Sequence, residues 1–405
     1  MPRSFLLAAA AVGLALRLAF GLGYWVNQTL TRDELEYLSL ARSIASGHGF
    51  VYDDAIRSLP QEPFGRAPGY PLVLSLIGGG GAVATSTPAT VKIVQAFAGA
   101  SGVWLVGVLA FRLAGARAAK VAAAIAACYP PLVWISAYAL SEVIFFPLGL
   151  AIVWLFDRVA TSDGRTWPRA IACGVYIGVA VLVRPATVMF LPLAAAWLIW
   201  RRRLPSAAAL VLGAVIVVGP WTIRNYRHYG HFVLVATEGG VTFWTGNNPL
   251  ARGDGDMAAN PKLREASQAL KAQHPGVDEE GMEPIYYRTA LAWMRSTPID
   301  WLVLEAKKAF FLVVPIGPSY RLHSNLYFLG SVVPYGLVLP FAIAGIVRLG
   351  SRRARTPGLW LLAGSAVATC LMFFPQERFR IPILDPTLIV CAGAAWMSRN
   401  ETSVT

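Results

Sequence analysis

The sequence predicts an all-α polytopic membrane protein, and three observations carry that prediction. Hydrophobic residues fill 56% of the 405 positions and charged residues only 14%, with a mean hydropathy of +0.53. One soluble core of this length has no use for so much apolar surface. The apolar residues also gather into stretches of bilayer-crossing length, about 20 residues each. Finally, the basic residues cluster in the short connections between those stretches, as loops retained inside a membrane do.

The stretches lie near 4–26, 89–111, 119–136, 141–157, 169–186, 187–200, 205–221, 325–347, 357–374 and 382–397, or about ten spans. The first is too long for the core of a secretory signal and contains Arg17, so it is expected to stay as a span. With the N-terminus cytoplasmic, one side receives Arg112, Arg117 and Lys120, then Arg158, Arg165 and Arg169. It also receives Arg201 to Arg203, then Arg348, Arg352, Arg353 and Arg355. The expected orientation therefore has both termini cytoplasmic. The formal charge of +13 is explained by these loops, which excludes a nucleic-acid partner. Cys128, Cys173, Cys370 and Cys391 all sit in apolar stretches without CxxC spacing, so neither a disulfide framework nor a thiolate metal site is indicated.

This parity leaves two long polar segments outside and divides the chain in three. Residues 1–221 form a transmembrane module with a first external loop at 27–88. Residues 222–324 form an extracytoplasmic loop domain, and 325–405 the C-terminal transmembrane helices. In the first loop, Thr31 followed by Glu34 makes a capping box and predicts a helix over about 31–46. In the second, "YGHFVLVATEGGVTFWTGNNP" reads as short strands and turns. A polar helix is expected over about 261–273, then amphipathic helices over about 284–316.

The first external loop opens with adjacent acids, Asp33 and Glu34. Glu34 has a capping duty available. Asp33 is either a partner of the helix dipole or a general base, with Tyr37 one turn later on the same face. Cations stand where the spans emerge on that outer side: Arg66 in "FGRAPGYP" beside Tyr70, Arg184 in "VLVRPAT", Arg224 in "GPWTIRNYRHYG", and Arg378 and Arg380 in "FPQERFRIPILDP". Lys307 and Lys308 lie on an expected interfacial helix. Singly, such arginines snorkel or pair with Glu62, Glu142, Glu377 or Asp385. Together, against the topology bias, they call for an anionic partner, and guanidinium forks suit phosphate. A proton-accepting acid beside such a cluster fits transfer from a membrane-anchored phosphate to an acceptor hydroxyl. One base suffices there, because phosphate leaves as a stable anion.

At these residues the sequence resembles the GT-C integral-membrane glycosyltransferases that use polyprenyl-phosphate sugars. The match is to the branch labelled family 39, related to protein O-mannosyltransferases and to lipid A aminoarabinose transferases. The ordered set "RDELEYLSLARSIASGHGF", "RAPGYPLVLSL", "LSEVIFF", "RPA", "PWTIRNYRHYGHFVLV" with "GNNP", and "ERFRIPILDP" carries it across residues 33–386. The resemblance implies a GT-C fold and an essential acid opening the first external loop. That maps onto Asp33, with Glu34 as its neighbour. It implies a donor-phosphate role for Arg66 and matches Arg184, Arg224, Arg378 and Arg380 to arginines of the bacterial pattern. Lys307 joins the expected phosphate-binding set, and Tyr37, Tyr70 and Glu142 the lining.

The expected reaction is inverting transfer of a sugar from a polyprenyl-phosphate donor to a glycan, lipid or protein hydroxyl. The alternatives are a transporter or flippase for an anionic lipid or sugar, and a ligase or polymerase of lipid-linked glycans. No cofactor is indicated, and a divalent metal is left open because one acid with one neighbour is thin coordination. "DGDMAANPKLRE" fails as a calcium loop, since Ala258 and Ala259 occupy a ligand position and the required glycine. His228 and His231 have no further ligands near them in sequence.

Overall fold

The computed structural model describes residues 1–58, 63–81, 84–255, 257, 259–317 and 324–398. Glu62, Asp256 and Ala258 lie outside the described residues. Among the described residues the chain forms helices and no strand.

Helix α1 (Arg3–Leu18) runs on through a π-helical turn, Ala19–Tyr24. The first polar loop carries α2 (Arg32–Ala45), α3 (Asp54–Arg57) and α4 (Gly69–Leu76). Helix α5 (Ala89–Cys128) is broken at Gly115, whose φ of 84° belongs to a region open to glycine. Its two halves correspond to separate apolar stretches, the second continued by α6 (Pro130–Trp134). Then follow α7 (Ser141–Thr161), α8 (Trp167–Val183), α9 (Phe190–Trp200) and α10 (Leu204–Tyr229). The second polar segment holds α11 (Glu238–Gly246), α12 (Pro261–Ala272), α13 (Glu283–Ser296) and α14 (Pro298–Val313). The chain closes with α15 (Asn325–Leu349), α16 (Pro357–Met372), α17 (Glu377–Arg380) and α18 (Leu384–Ala394).

Five helical segments are long and apolar enough to cross a bilayer: Arg3–Tyr24, Ala89–Cys128, Ser141–Thr161, Leu204–Tyr229 and Asn325–Arg355. Trp167–Val183, Pro185–Trp200, Pro357–Met372 and Leu384–Ala394 are shorter apolar helices. The chain is an integral membrane protein. Its apolar helices pack through small residues, since lipid offers no hydrophobic force to drive helices together. Helices α8 and α10 touch backbone to backbone: a Cβ on Gly174 would stand 2.0 Å from the Leu210 carbonyl oxygen, and one on Gly213 2.3 Å from that of Ile171. At Gly345 on α15 it would stand 1.8 Å from the Cys391 oxygen on α18.

The strands expected after Tyr229 do not form, and backbone accounting gives the reason. The carbonyls of "VLV" are taken by side chains of α10 instead of a ladder. Asn225 Nδ2 donates to Val233 O at 3.3 Å and Val235 O at 3.1 Å. Trp221 Nε1 donates to Val235 O at 2.9 Å, and the Thr222 hydroxyl to Leu234 O at 2.8 Å. The "EGGVTFWTG" that follows is α11, packed so closely that a Cβ on Gly240 would lie 2.4 Å from the Glu283 carbonyl oxygen. Val241, Trp244, Leu263, Met282, Tyr286 and Ala290 make a small core of their own there. The helices expected over 31–46, 261–273 and 284–316 form as α2, α12, and α13 with α14.

Candidate active site

The site is built on the first turn of α2. Thr31 caps it, and the capping box closes: Glu34 Oε2 accepts from the Thr31 amide at 2.9 Å while Thr31 Oγ1 accepts from the Glu34 amide at 3.4 Å. The other Glu34 oxygen accepts from the Thr87 hydroxyl at 2.6 Å and the Ala139 amide at 2.8 Å. Buried and saturated, Glu34 pins the start of α2 to two other loops.

Asp33, about 100° further round the helix, faces elsewhere and keeps 21% of its side chain accessible. Its Oδ1 accepts from Arg66 Nη2 at 2.6 Å. Its Oδ2 lies 2.6 Å from Arg378 Nη2. Arg66 is held in place by its neighbour Gly65, whose amide donates to Thr237 Oγ1 at 2.8 Å and whose carbonyl accepts from the Thr237 amide at 2.8 Å. The Arg66 guanidinium serves three acids, bonding Glu36 Oε2 through Nε at 2.7 Å and Glu238 through Nη1. Its carbon sits 5.1 Å from the centroid of Tyr37. The Tyr37 ring meets Tyr70 edge-on at 5.0 Å, and the Tyr70 hydroxyl donates to Gln95 Oε1 at 2.6 Å.

On the opposite side Arg378 continues the network. Its Nε lies 3.4 Å from Glu142 Oε1, which lies 3.2 Å from Arg184 Nη1. That same Arg184 nitrogen donates to Ser141 Oγ at 3.2 Å. The Phe379 ring lies 5.6 Å from both guanidinium carbons. With Arg32 Nε 2.7 Å from Glu36 Oε1, the cluster balances four carboxylates (Asp33, Glu36, Glu142, Glu238) against four guanidiniums (Arg32, Arg66, Arg184, Arg378). An entering anion must displace a carboxylate from an arginine, and a partly buried charge pair gives up a partner only for one that satisfies it as well.

The electrostatics follow from these contacts. Burial alone would raise the Asp33 pKa, but Arg378 and Arg66 outweigh it and hold the carboxyl well below the usual range. At neutral pH Asp33 is an anion and, so clasped, a weak base. Burial raises Glu238 despite Arg66. It also pushes the Tyr37 phenol up to about 12, so Tyr37 stays a neutral hydrogen-bond donor.

Residues 66–223 match the family model for dolichyl-phosphate-mannose-protein mannosyltransferases. The fold matches the archaeal oligosaccharyltransferase AglB from Archaeoglobus fulgidus, solved in complex with an inhibitory peptide and a dolichol-phosphate. The TM-score is 0.59 at 16% identity, over 97% of this chain and 49% of AglB. The chain shares its fold with that enzyme, and the family model covers less than half of its length. The apo form of the Archaeoglobus fulgidus enzyme gives a TM-score of 0.58 at 16% identity, over 97% of this chain and 50% of that one. ArnT from Cupriavidus metallidurans bound to undecaprenyl phosphate gives 0.44 at 15% identity, over 98% and 78%. Comparison with curated proteins gives no match. The chain spans about half the length of AglB. The family match takes in Arg66, Glu142 and Arg184, while Asp33, Glu238 and Arg378 lie outside it.

Of the cations expected at the site, Arg66, Arg184 and Arg378 converge. The other three do not join the network. Arg224 stacks on Trp221 at 4.9 Å and Phe50 at 5.7 Å and donates to Asn225 Oδ1 at 3.1 Å. Arg380 bonds Asp385 Oδ1 at 3.0 Å and lies 3.9 Å over Tyr335, in a separate cluster where the Tyr129 hydroxyl donates to Asp385 Oδ2 at 3.1 Å. Lys307 is exposed on α14. Glu142 joins the network through Arg184 and Arg378, Tyr70 packs against Tyr37 beside it, and Glu34 is occupied as a cap. The sequence reading missed Glu36 and Glu238. Glu36 was accessible to it, standing three residues after Asp33 and four after Arg32 on one helical face. Glu238 carries no local signal, because only the tertiary fold brings α11 to Arg66. Among the described residues no group of three His, Cys, Asp or Glu side chains is placed to hold a metal ion.

Proposed function

We propose that this chain transfers a sugar, with inversion, from a polyprenyl-phosphate donor to an acceptor hydroxyl at the extracytoplasmic face of a bacterial inner membrane. One observation carries the reading: the Asp33 carboxylate is gripped on both oxygens by Arg66 and Arg378 at 2.6 Å each. Such a pair of forks suits a phosphate group better than a single carboxylate. The AglB structure, solved with a dolichol-phosphate, supports a lipid phosphate as the ligand of this fold.

In the proposed sequence, the donor phosphate enters between the forks and takes up Arg378, with Arg184 following as Glu142 releases it. Losing a guanidinium raises the Asp33 pKa toward its ordinary value, so the base gains strength only once the donor is present. Asp33 then takes the proton of the acceptor hydroxyl, whose oxygen attacks the anomeric carbon in line. The bond from that carbon to the phosphate oxygen breaks, and lipid phosphate leaves as an anion into the arginines. Glu36 keeps Arg66 oriented throughout. In this reading the chain has about ten spans and the cluster lies outside, opposite the arginine-rich loops.

The test incubates purified protein with radiolabelled polyprenyl-phosphate sugars and membrane extract. Monosaccharide transfer by the native chain and none by Asp33→Asn is the expected result. Movement of an anionic lipid or sugar across the membrane without bond cleavage, or transfer of a whole glycan, overturns the reading.

A further inference from the structure

Helix α14 carries consecutive lysines with opposite fates. Lys308 is buried, its Nζ donating to Asn247 Oδ1 at 2.9 Å, Glu305 Oε1 at 2.7 Å and Leu371 O at 2.9 Å. Those bonds fix the inward face of the helix. Lys307, about 100° away, is exposed and lines a groove of about 510 Å³ between the Ala251–Arg252 turn and Val303, Phe310 and Phe311. A smaller cavity of about 240 Å³ beside Trp293 and Asp300 shares Lys307 with it. Arg252 is exposed too. Among the described residues no ion pair holds either cation.

The same side of α14 is apolar. Ile299, Leu302, Val303, Phe310 and Val313 are exposed, Leu302 at 60% and Phe310 at 52%, and they recur at helical period. Phe310 and Phe311 meet edge to face, centroids 5.5 Å apart, at the floor of the groove. Asp300, Glu305 and the two lysines make α14 too polar to span. A helix with one apolar face, aromatic residues and two unpaired cations at its border lies in the interface plane, with its cations at headgroup depth.

We propose that this groove is a binding site for the phosphate of an anionic glycerophospholipid, with Lys307 and Arg252 on the phosphate and the acyl chain laid along Val303, Phe310 and Phe311. The site is separate from the Asp33 network, since neither cation joins it. It sets α14, and through Lys308 the Asn247 turn and α16, at a fixed depth in the membrane. It rests on the membrane location of the chain and not on the transfer reaction.

The test uses the full chain in nanodiscs of phosphatidylcholine containing a minor share of phosphatidylglycerol, with retained lipid read by native mass spectrometry. The native chain is expected to retain phosphatidylglycerol over phosphatidylcholine. The double variant Lys307→Gln with Arg252→Gln is expected to lose that preference by roughly thirtyfold, at about 1 kcal/mol for each cation. Its melting temperature in pure phosphatidylcholine should match the native value, because both side chains are solvated. Asp33→Asn, the control, should retain phosphatidylglycerol fully whatever its effect on transfer. Equal retention by the double variant overturns the proposal. So does displacement by millimolar inorganic phosphate alone, or preference for a polyprenyl phosphate at the groove.

Discussion

Arg378 Nη2 lies 2.6 Å from Asp33 Oδ2, joining the polar turn before the last apolar helix to the first turn of α2. The contact closes the site from both ends of the chain and leaves Asp33 with a base strength that depends on where Arg378 is. An acid clasped by two guanidiniums is inert until one has a better partner.

Asp33→Asn should therefore separate binding from chemistry. It removes the proton acceptor and frees Arg66 and Arg378, so turnover should fall by about a thousandfold while an unreactive polyprenyl phosphate binds as well as before or better. Transfer assays beside a binding isotherm check both. Normal turnover by the variant removes Asp33 from the mechanism.

Arg66 should prove structural as well as electrostatic. It is buried and bonds Glu36, which is buried as well, so Arg66→Ala strips one Glu36 oxygen of its partner and leaves the carboxylate to Arg32 alone, at a cost of about 1–3 kcal/mol. Arg66→Lys keeps the charge but cannot span three acids from a single ammonium. Adding Glu36→Gln to Arg66→Ala should recover part of the lost melting temperature in detergent. Absence of any recovery would show that Glu36 is not the group left stranded.

These two residues also show how far the sequence could be read. Asp33 and Glu34 were legible as different acids because a capping box is a local pattern, and the structure saturates Glu34 as that pattern requires. The apolar helices were legible because bilayer length and helical period are local too. The ring of arginines was legible only as a set. Arg224 and Arg380 stand near the ends of apolar helices like Arg184 and Arg378, yet find Trp221 and Asp385 first, and which partner wins is decided by tertiary distance. Glu238 was invisible for the same reason. The misread strands share it: β-branched "VLV" favours extended backbone, but the missing ladder was supplied by Trp221, Thr222 and Asn225 from a neighbouring helix.

Glu34→Gln should test the division of labour between the two acids. It keeps an acceptor for Thr87 and Ala139 but weakens the charge-assisted bond to the Thr31 amide, at a cost of about 1–2 kcal/mol. Turnover per folded molecule should be unchanged, measured after correcting for the folded fraction by thermal unfolding. A variant that melts normally but transfers as poorly as Asp33→Asn would place Glu34 in the chemistry.

Glu283 gives a pH dependence of opposite sign to the Asp33 pair. Burial against the α11 backbone pushes its pKa up to about 8, with His231 Nε2 3.8 Å away and Tyr287 beside it. Because the folded pKa lies above the unfolded value near 4.3, the folded state holds the proton more tightly between the two. Stability is therefore lost as pH rises from about 4.5 towards 8 and levels off beyond it. Asp33 does the reverse, since its depressed pKa contributes stability above the unfolded value and loses it only in strong acid. Glu283→Gln keeps the shape and stays neutral, so it should leave the melting temperature at pH 5 near the native value and raise it at pH 8.5. Melting curves of both proteins at the two pH values decide it: parallel pH profiles would mean that Glu283 is already ionised in the folded chain.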